Sequence, residues 1–117
     1  DTVIRVLEDV ARQSDLIIST GAVRSGLLLP ELLTRVGQVF FWKVRMQPGA
    51  DSLFGRVGDT PMLALPGAPA AAEVALLTLV APALQLLSGL QPVDPPAHSA
   101  RLLTPLHKPQ ALHGFWL

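Results

Sequence analysis

No stretch limits the folds open to this chain more than residues 14–33, SDLIISTGAVRSGLLLPELL. Leu16-Ile17-Ile18-Ser19 has strand-like apolar character and runs into Thr20-Gly21, a turn closed by Gly26, and a helix opened by Pro30. A strand that feeds a glycine-flanked loop and then a helix is the anion-holding unit of open α/β sheets. The loop and the first helical turn leave backbone N–H groups unpaired and aimed at the ligand. Chemistry at such a loop usually wants a carboxylate, yet Leu27-Leu28-Leu29 stands there instead.

The flanking segments extend the same pattern. Val3, Val6, Leu7 and Val10 fall at helical spacing opposite Arg5, Glu8, Asp9 and Arg12, which predicts a surface helix over residues 2–13. The continuous apolar run 16–19 predicts a strand covered on both faces. Pro30 suits a first helical turn, Leu32, Leu33 and Val36 give that helix its apolar positions, and Gly37 stops it. Residues 39–45, VFFWKVR, are rich in β-branched and aromatic side chains and read as a second strand. Turn signals at Pro48-Gly49 and Gly58-Asp59 flank the apolar runs 53–57 and 62–65, a hairpin or strand pair.

Residues 69–87, PAAAEVALLTLVAPALQLL, approach the roughly 20 apolar residues that a bilayer needs. Glu73, Thr78, Pro82 and Gln85 interrupt the run and no basic cluster flanks it, so a helix buried against a sheet is the expectation. Gly89 ends it. The proline-dense residues 91–98 read as a linker, and residues 99–117 as the first short strands of a separate β-type module. The order helix, strand, loop, helix, strand, hairpin, helix implies a layered α/β domain over residues 1–90. Its ligand then belongs at the carboxyl ends of the strands, where loops 20–26, 46–51 and 65–69 all fall.

Composition narrows the partners. Nine Lys and Arg balance nine Asp and Glu, so no global field recruits nucleic acid or an anionic membrane, and an anion must be held by local geometry. The chain has no cysteine, which removes disulfides, thiolate metal sites and cysteine nucleophiles and fits a cytoplasmic protein. It begins Asp1-Thr2 without an initiator Met or a secretory signal pattern, and is expected to start inside a longer protein.

Three blocks in this order, SDLIISTGAVRSG, FFWKVRMQPGADSLFGRV and LALPGAPAAAEVALLTLVAPALQLLSG, resemble the molybdopterin-binding domain of the molybdopterin molybdotransferase family, the MoeA-like and gephyrin E-domain proteins. The likeness covers roughly residues 1–90, and the remainder is similar to the start of that family's C-terminal β domain. It implies a three-layer α/β/α sandwich with a mostly parallel sheet, truncated at its N-terminus. It also implies a transferase that binds molybdopterin or its adenylylated form and inserts molybdate with Mg2+, as a cytoplasmic homodimer. The site residues it implies are Thr20, Gly21, Arg24, Ser25, Gly26, Lys43, Pro48, Gly49, Pro66, Gly67 and Pro69. In the family a strand precedes the helix at Thr2, so pairing with a second copy or a further segment is expected, and residues 1–117 alone should be unstable.

The departures from the family pattern are chemical. Arg24 stands where the family has a serine, and Leu29 where it has an acidic residue. Gln47 and Ala50 replace two lysines, and Ala68 and Ala71 replace an asparagine and a serine. Backbone-shaping Gly and Pro persist while side-chain chemistry is lost. Each lost lysine removes a charge-assisted contact worth roughly 1.5–3 kcal/mol, so insertion of molybdate should be impaired. A catalytically inactive scaffold or interaction module is the alternative.

The remaining candidates each have a plainer reading. Arg24 either grips a pterin phosphate bidentately or is an exposed loop arginine. Lys43 is a ligand or a solvated strand-end lysine, and Trp42 packs in the core or at an edge rather than stacking on the pterin. Asp51 lies in a ligand loop, where turn geometry alone accounts for an Asp. His98, His107 and His113 lack the spacing of a metal site.

Overall fold

Four strands in the order β1-β5-β4-β2 make the sheet that organises the molecule. The structure is a computed structural model that describes residues 2–21, 29–108 and 111–116. Helix α1 (Thr2–Gln13) leads to β1 (Ile17–Thr20), α2 (Leu29–Val36) and β2 (Gly37–Trp42), followed by the two-residue β3 (Met46–Gln47). The expected hairpin forms as β4 (Leu53–Val57) and β5 (Thr60–Leu65), turning at Gly58 with φ +56°. Strand β1 pairs parallel with β5, whereas β4 runs antiparallel to both β5 and β2. Three of the four strands therefore point the same way, and the α/β sandwich expected from sequence is present.

Both sheet faces are covered. On one side α1 and α2 enclose Ile17, Leu29, Leu33, Leu53, Val57 and Met62, with Leu7 and Ala11 of α1 packed against them. On the other, Leu63 and Leu65 of β5 meet Val74, Ala75 and Val80 of the long C-terminal helix. Thr60 Oγ1 donates to Ala11 O at 2.8 Å, tying α1 to the start of β5. The strand covered on both faces is thus β5, in the sheet interior. Strand β1, expected to be covered in that way, lies at a sheet edge with Ile17 buried and Ile18 43% exposed. An apolar run reports that a strand can be buried, while pairing decides which strand takes the interior. Helix α1 likewise buries no residue, and Val3, Val6 and Val10 are exposed on its apolar stripe.

Strand β2 starts at Gly37 for a steric reason. A Cβ there would fall 1.8 Å from Arg56 O, so only glycine lets β2 approach β4 this closely. The strand ends at Trp42, earlier than expected, because Lys43 takes φ +73°, a left-handed conformation that breaks the extended run. The apolar segment Pro69–Leu87 forms one continuous helical stretch: α3 (Pro69–Ala75), a π-helical turn Leu76–Val80, and α4 (Ala81–Leu87). Its length and mean hydropathy of 1.8 match a bilayer span, and only 22% of that window is buried: Ala71, Val74, Ala75 and Val80 pack inward, while Leu76, Leu77, Leu84, Leu86 and Leu87 are exposed, so the helix expected to be buried against the sheet is covered on one face alone. Thr78 Oγ1 donates to Val74 O at 2.7 Å and lies 3.7 Å from Met46 Sδ, which sets the π turn against β3.

Residues 91–108 carry no regular structure and are exposed. Beyond them β6 (His113–Gly114) returns to pair parallel with β3.

Candidate functional site

Strand direction explains why three loops meet. Because β1, β2 and β5 run the same way, the chain leaves each of them at one rim of the sheet. Strands β1 and β5 end in register, Thr20 beside Leu65, and Gly21 N–H donates to Leu65 O at 3.0 Å. Gly67 packs so near that a Cβ on it would lie 3.1 Å from Gly21 Cα. The loop after β2 folds toward the same place, held by Val44 N–H to Ala50 O at 2.9 Å and Lys43 N–H to Ser52 O at 3.0 Å.

These loops enclose a cavity of about 710 Å3, lined by Gly21 from the first, Gln47, Gly49, Ala50 and Asp51 from the second, and Pro66, Gly67, Ala68 and Ala71 from the third. The first turn of α3 opens onto it. Ala68 is the N-cap and offers no side-chain oxygen, Pro69 brings no N–H, and the amides of Ala70 and Ala71 receive no side-chain cap. Such amides, with the positive end of a long helix behind them, favour an anion.

Of the residues expected from sequence, Gly21, Gly49, Pro66 and Gly67 line the cavity. Thr20 ends β1 beside it, and Pro69 opens α3 just behind it. Pro48 does not face it: after the cis Gln47–Pro48 bond, Pro48 turns toward His107, Phe115 and Trp116 on the other side of the loop. Lys43 is exposed, lies 5.3 Å over the Trp42 ring, and reaches the rim through Asp51, with Nζ 3.6 Å from Oδ1. Arg24, Ser25 and Gly26 lie outside the described residues. Ala68 and Ala71, read from sequence only as positions that had lost a polar side chain, line the wall, and sequence reasoning missed Ser52. Ser52 is fully buried, and its hydroxyl and amide both donate to Gly49 O, at 2.8 and 3.2 Å, which fixes the turn. A serine closing a Pro-Gly-x-x turn was the available signal.

The chemistry of the lining is sparse. Among its described residues there is no Lys or Arg, and Asp51 is the single carboxylate. Gln47 and Ala50, where the family pattern has lysines, both sit on the wall. Leu29 is only 6% exposed and is part of the core, so that position supplies packing instead of an oxygen ligand. Among the described residues no group of three or more His, Asp or Glu is placed to hold a metal. Magnesium wants several hard oxygen donors, and the single carboxylate among the described lining residues, already paired with Lys43, does not by itself fit a resident Mg2+. A smaller cavity of about 360 Å3, bordered by Glu8, Arg12 and Asp59, lies at the hairpin end of the sheet, away from these loops.

An open α/β sheet whose strand-end loops border a cleft places that cleft where ligands of such sheets bind. Comparison with known proteins specifies it: residues 1–86 match the family model described as "Probable molybdopterin binding domain", and the chain belongs to that family. It is 35% identical over 94 residues to the molybdopterin molybdenumtransferase of Haemophilus influenzae, covering 79% of this chain and 23% of that protein. Molybdopterin molybdenumtransferase 2 of Mycobacterium tuberculosis is 35% identical over 120 residues, covering 94% of this chain and 29% of the relative. Among solved structures, the molybdopterin biosynthesis MoeA protein from Pyrococcus horikosii superposes with a TM-score of 0.66 at 23% identity, over 76% of this chain and 22% of that one, a likeness of fold. The chain thus spans under a third of the length of these relatives.

Proposed function

We propose that the cavity binds molybdopterin, in its free or adenylylated form, within molybdenum cofactor biosynthesis, and that it inserts molybdate weakly. The observation that carries this reading is the meeting of Gly21, at the end of β1, with the glycine- and proline-shaped second and third loops on one cleft in a member of this family. The ligand phosphate is held by main-chain amides of the third loop and the first turn of α3, and the pterin lies along the second loop. Transfer needs more: cations to balance the oxyanions of phosphate and molybdate. The wall offers Gln47 and Ala50 at those places.

A second reading, a scaffold that binds pterin without acting on it, is favoured by the burial of Leu29 in the core. The reading extends to a cytoplasmic homodimer, on the family resemblance, with residues 99–117 belonging to the start of a second domain.

Calorimetric titration with molybdopterin followed by a molybdate-insertion assay tests both. Saturable 1:1 binding with slow insertion supports the divergent enzyme, binding with no insertion selects the scaffold, and no binding by folded protein rejects the two together. Restoring the cations should help. Gln47→Lys and Ala50→Lys are each expected to tighten molybdopterin binding about tenfold or more, the equivalent of one charge-assisted contact.

A further inference from the structure

The second cavity loop is held from two sides, and only one side belongs to the residues that match the family model. From within, Met46 is buried against Leu63, Leu65 and Val74, and Ser52 fastens Gly49 O. From outside, the tail reaches back from beyond residue 86. His113 N–H donates to Arg45 O at 3.0 Å and Phe115 N–H to Gln47 O at 2.9 Å, with Met46 beside His113 and Gln47 beside Gly114 in register. The Trp116 ring then folds over Gly114, so close that a Cβ on that glycine would lie 2.7 Å from Cη2. Pro48 faces His107, Phe115 and Trp116 across a space of about 290 Å3.

We infer that the tail segment 113–116 is a positioning element for the ligand cavity: by adding a strand to the outer edge of β3, it fixes the main chain of residues 45–47 and so sets where Gln47, Gly49 and Ala50 present themselves to the ligand. The inference rests on the molybdopterin reading for its ligand, though not for its mechanics. A two-residue strand with one edge open would exchange freely with water, since short unpaired segments open locally at little cost. The tail closes that edge with two main-chain bonds that depend on no side-chain identity. Proline at 115 removes one donor while keeping an extended backbone, whereas alanine keeps the donor and removes the ring.

The experiment is amide hydrogen exchange on the full chain, comparing wild type, Phe115→Pro, His113→Pro and Phe115→Ala. Expected is about tenfold or greater acceleration at Val44, Met46 and Ser52 in both proline variants, less than about twofold in Phe115→Ala, and no change in the β4–β5 amides. Molybdopterin affinity should fall about tenfold in the proline variants and little in Phe115→Ala. Unchanged loop exchange in the proline variants would overturn the inference. So would β4–β5 exchange rising as much as the loop's, because the tail would then support the whole fold. If molybdopterin fails to bind the wild-type chain, the pterin reading falls alone, and the exchange result still decides the role of the tail.

Discussion

Leu29 and Ala68, which stand where the family pattern has an acidic residue and an asparagine, take a core position and a helix N-cap in this structure. Leu29 is the first residue of α2 and packs with Ile17, Leu33 and Leu53. Leu29→Asp, which would put an acidic residue where the family pattern has one, should therefore bury a carboxylate with no partner and cost about 3–5 kcal/mol of stability, without gain of insertion. Urea denaturation measures the loss, and a variant as stable as wild type would show that the position is free to face the ligand. Ala68 has φ −68° and ψ 131°, the extended conformation of an N-cap, but lacks an acceptor. Ala68→Asn is expected to stabilise by about 1 kcal/mol, read as a raised Tm, because its side chain can accept from a first-turn amide. A lowered Tm would contradict the cap assignment. These roles were hard to read in sequence: Leu29 looked like a missing ligand, and nothing local told that it faces a core whose members include Leu53, Val57 and Met62, more than twenty positions away.

Among the elements, those that form from local pattern were legible. Helix α1, the hairpin at residues 53–65 and the long C-terminal helix follow from periodicity and turn residues. What depends on distant pairing was not. The apolar run of β1 does not reveal that β5 takes the sheet interior, and HGF, residues 113–115, carries no mark of a return to β3. The long helix was read as a core helix, and its two faces now make that testable. Leu86 is 60% exposed, whereas Val74 is buried against β5. Leu86→Glu should leave stability within about 0.5 kcal/mol of wild type, and Val74→Glu should cost several kcal/mol. Equal sensitivity at both positions, by thermal melting, would mean that the leucine face is packed as well.

At the scale of the whole molecule, three strands sharing a direction send three loops to one rim, and that topology turns weak local turn signals into a cleft. Loops 46–51 and 65–69 were legible as turns bordering one rim because Gly and Pro constrain the backbone wherever they occur. The sparse charge on the wall was legible too, as lysines replaced by Gln47 and Ala50. Pro48 turning toward the tail was not, because the tail's docking is set by main-chain bonds, which leave no trace in residue type. The most direct test of the cleft is to titrate molybdopterin into the nitrogen-15-labelled chain and follow amide resonances. Gly21, Gly49, Ala50, Asp51, Gly67 and Ala68 should shift together along one saturating curve. Shifts confined to the hairpin-end cavity around Arg12 and Asp59, or saturation that leaves those six amides unmoved, would contradict the account.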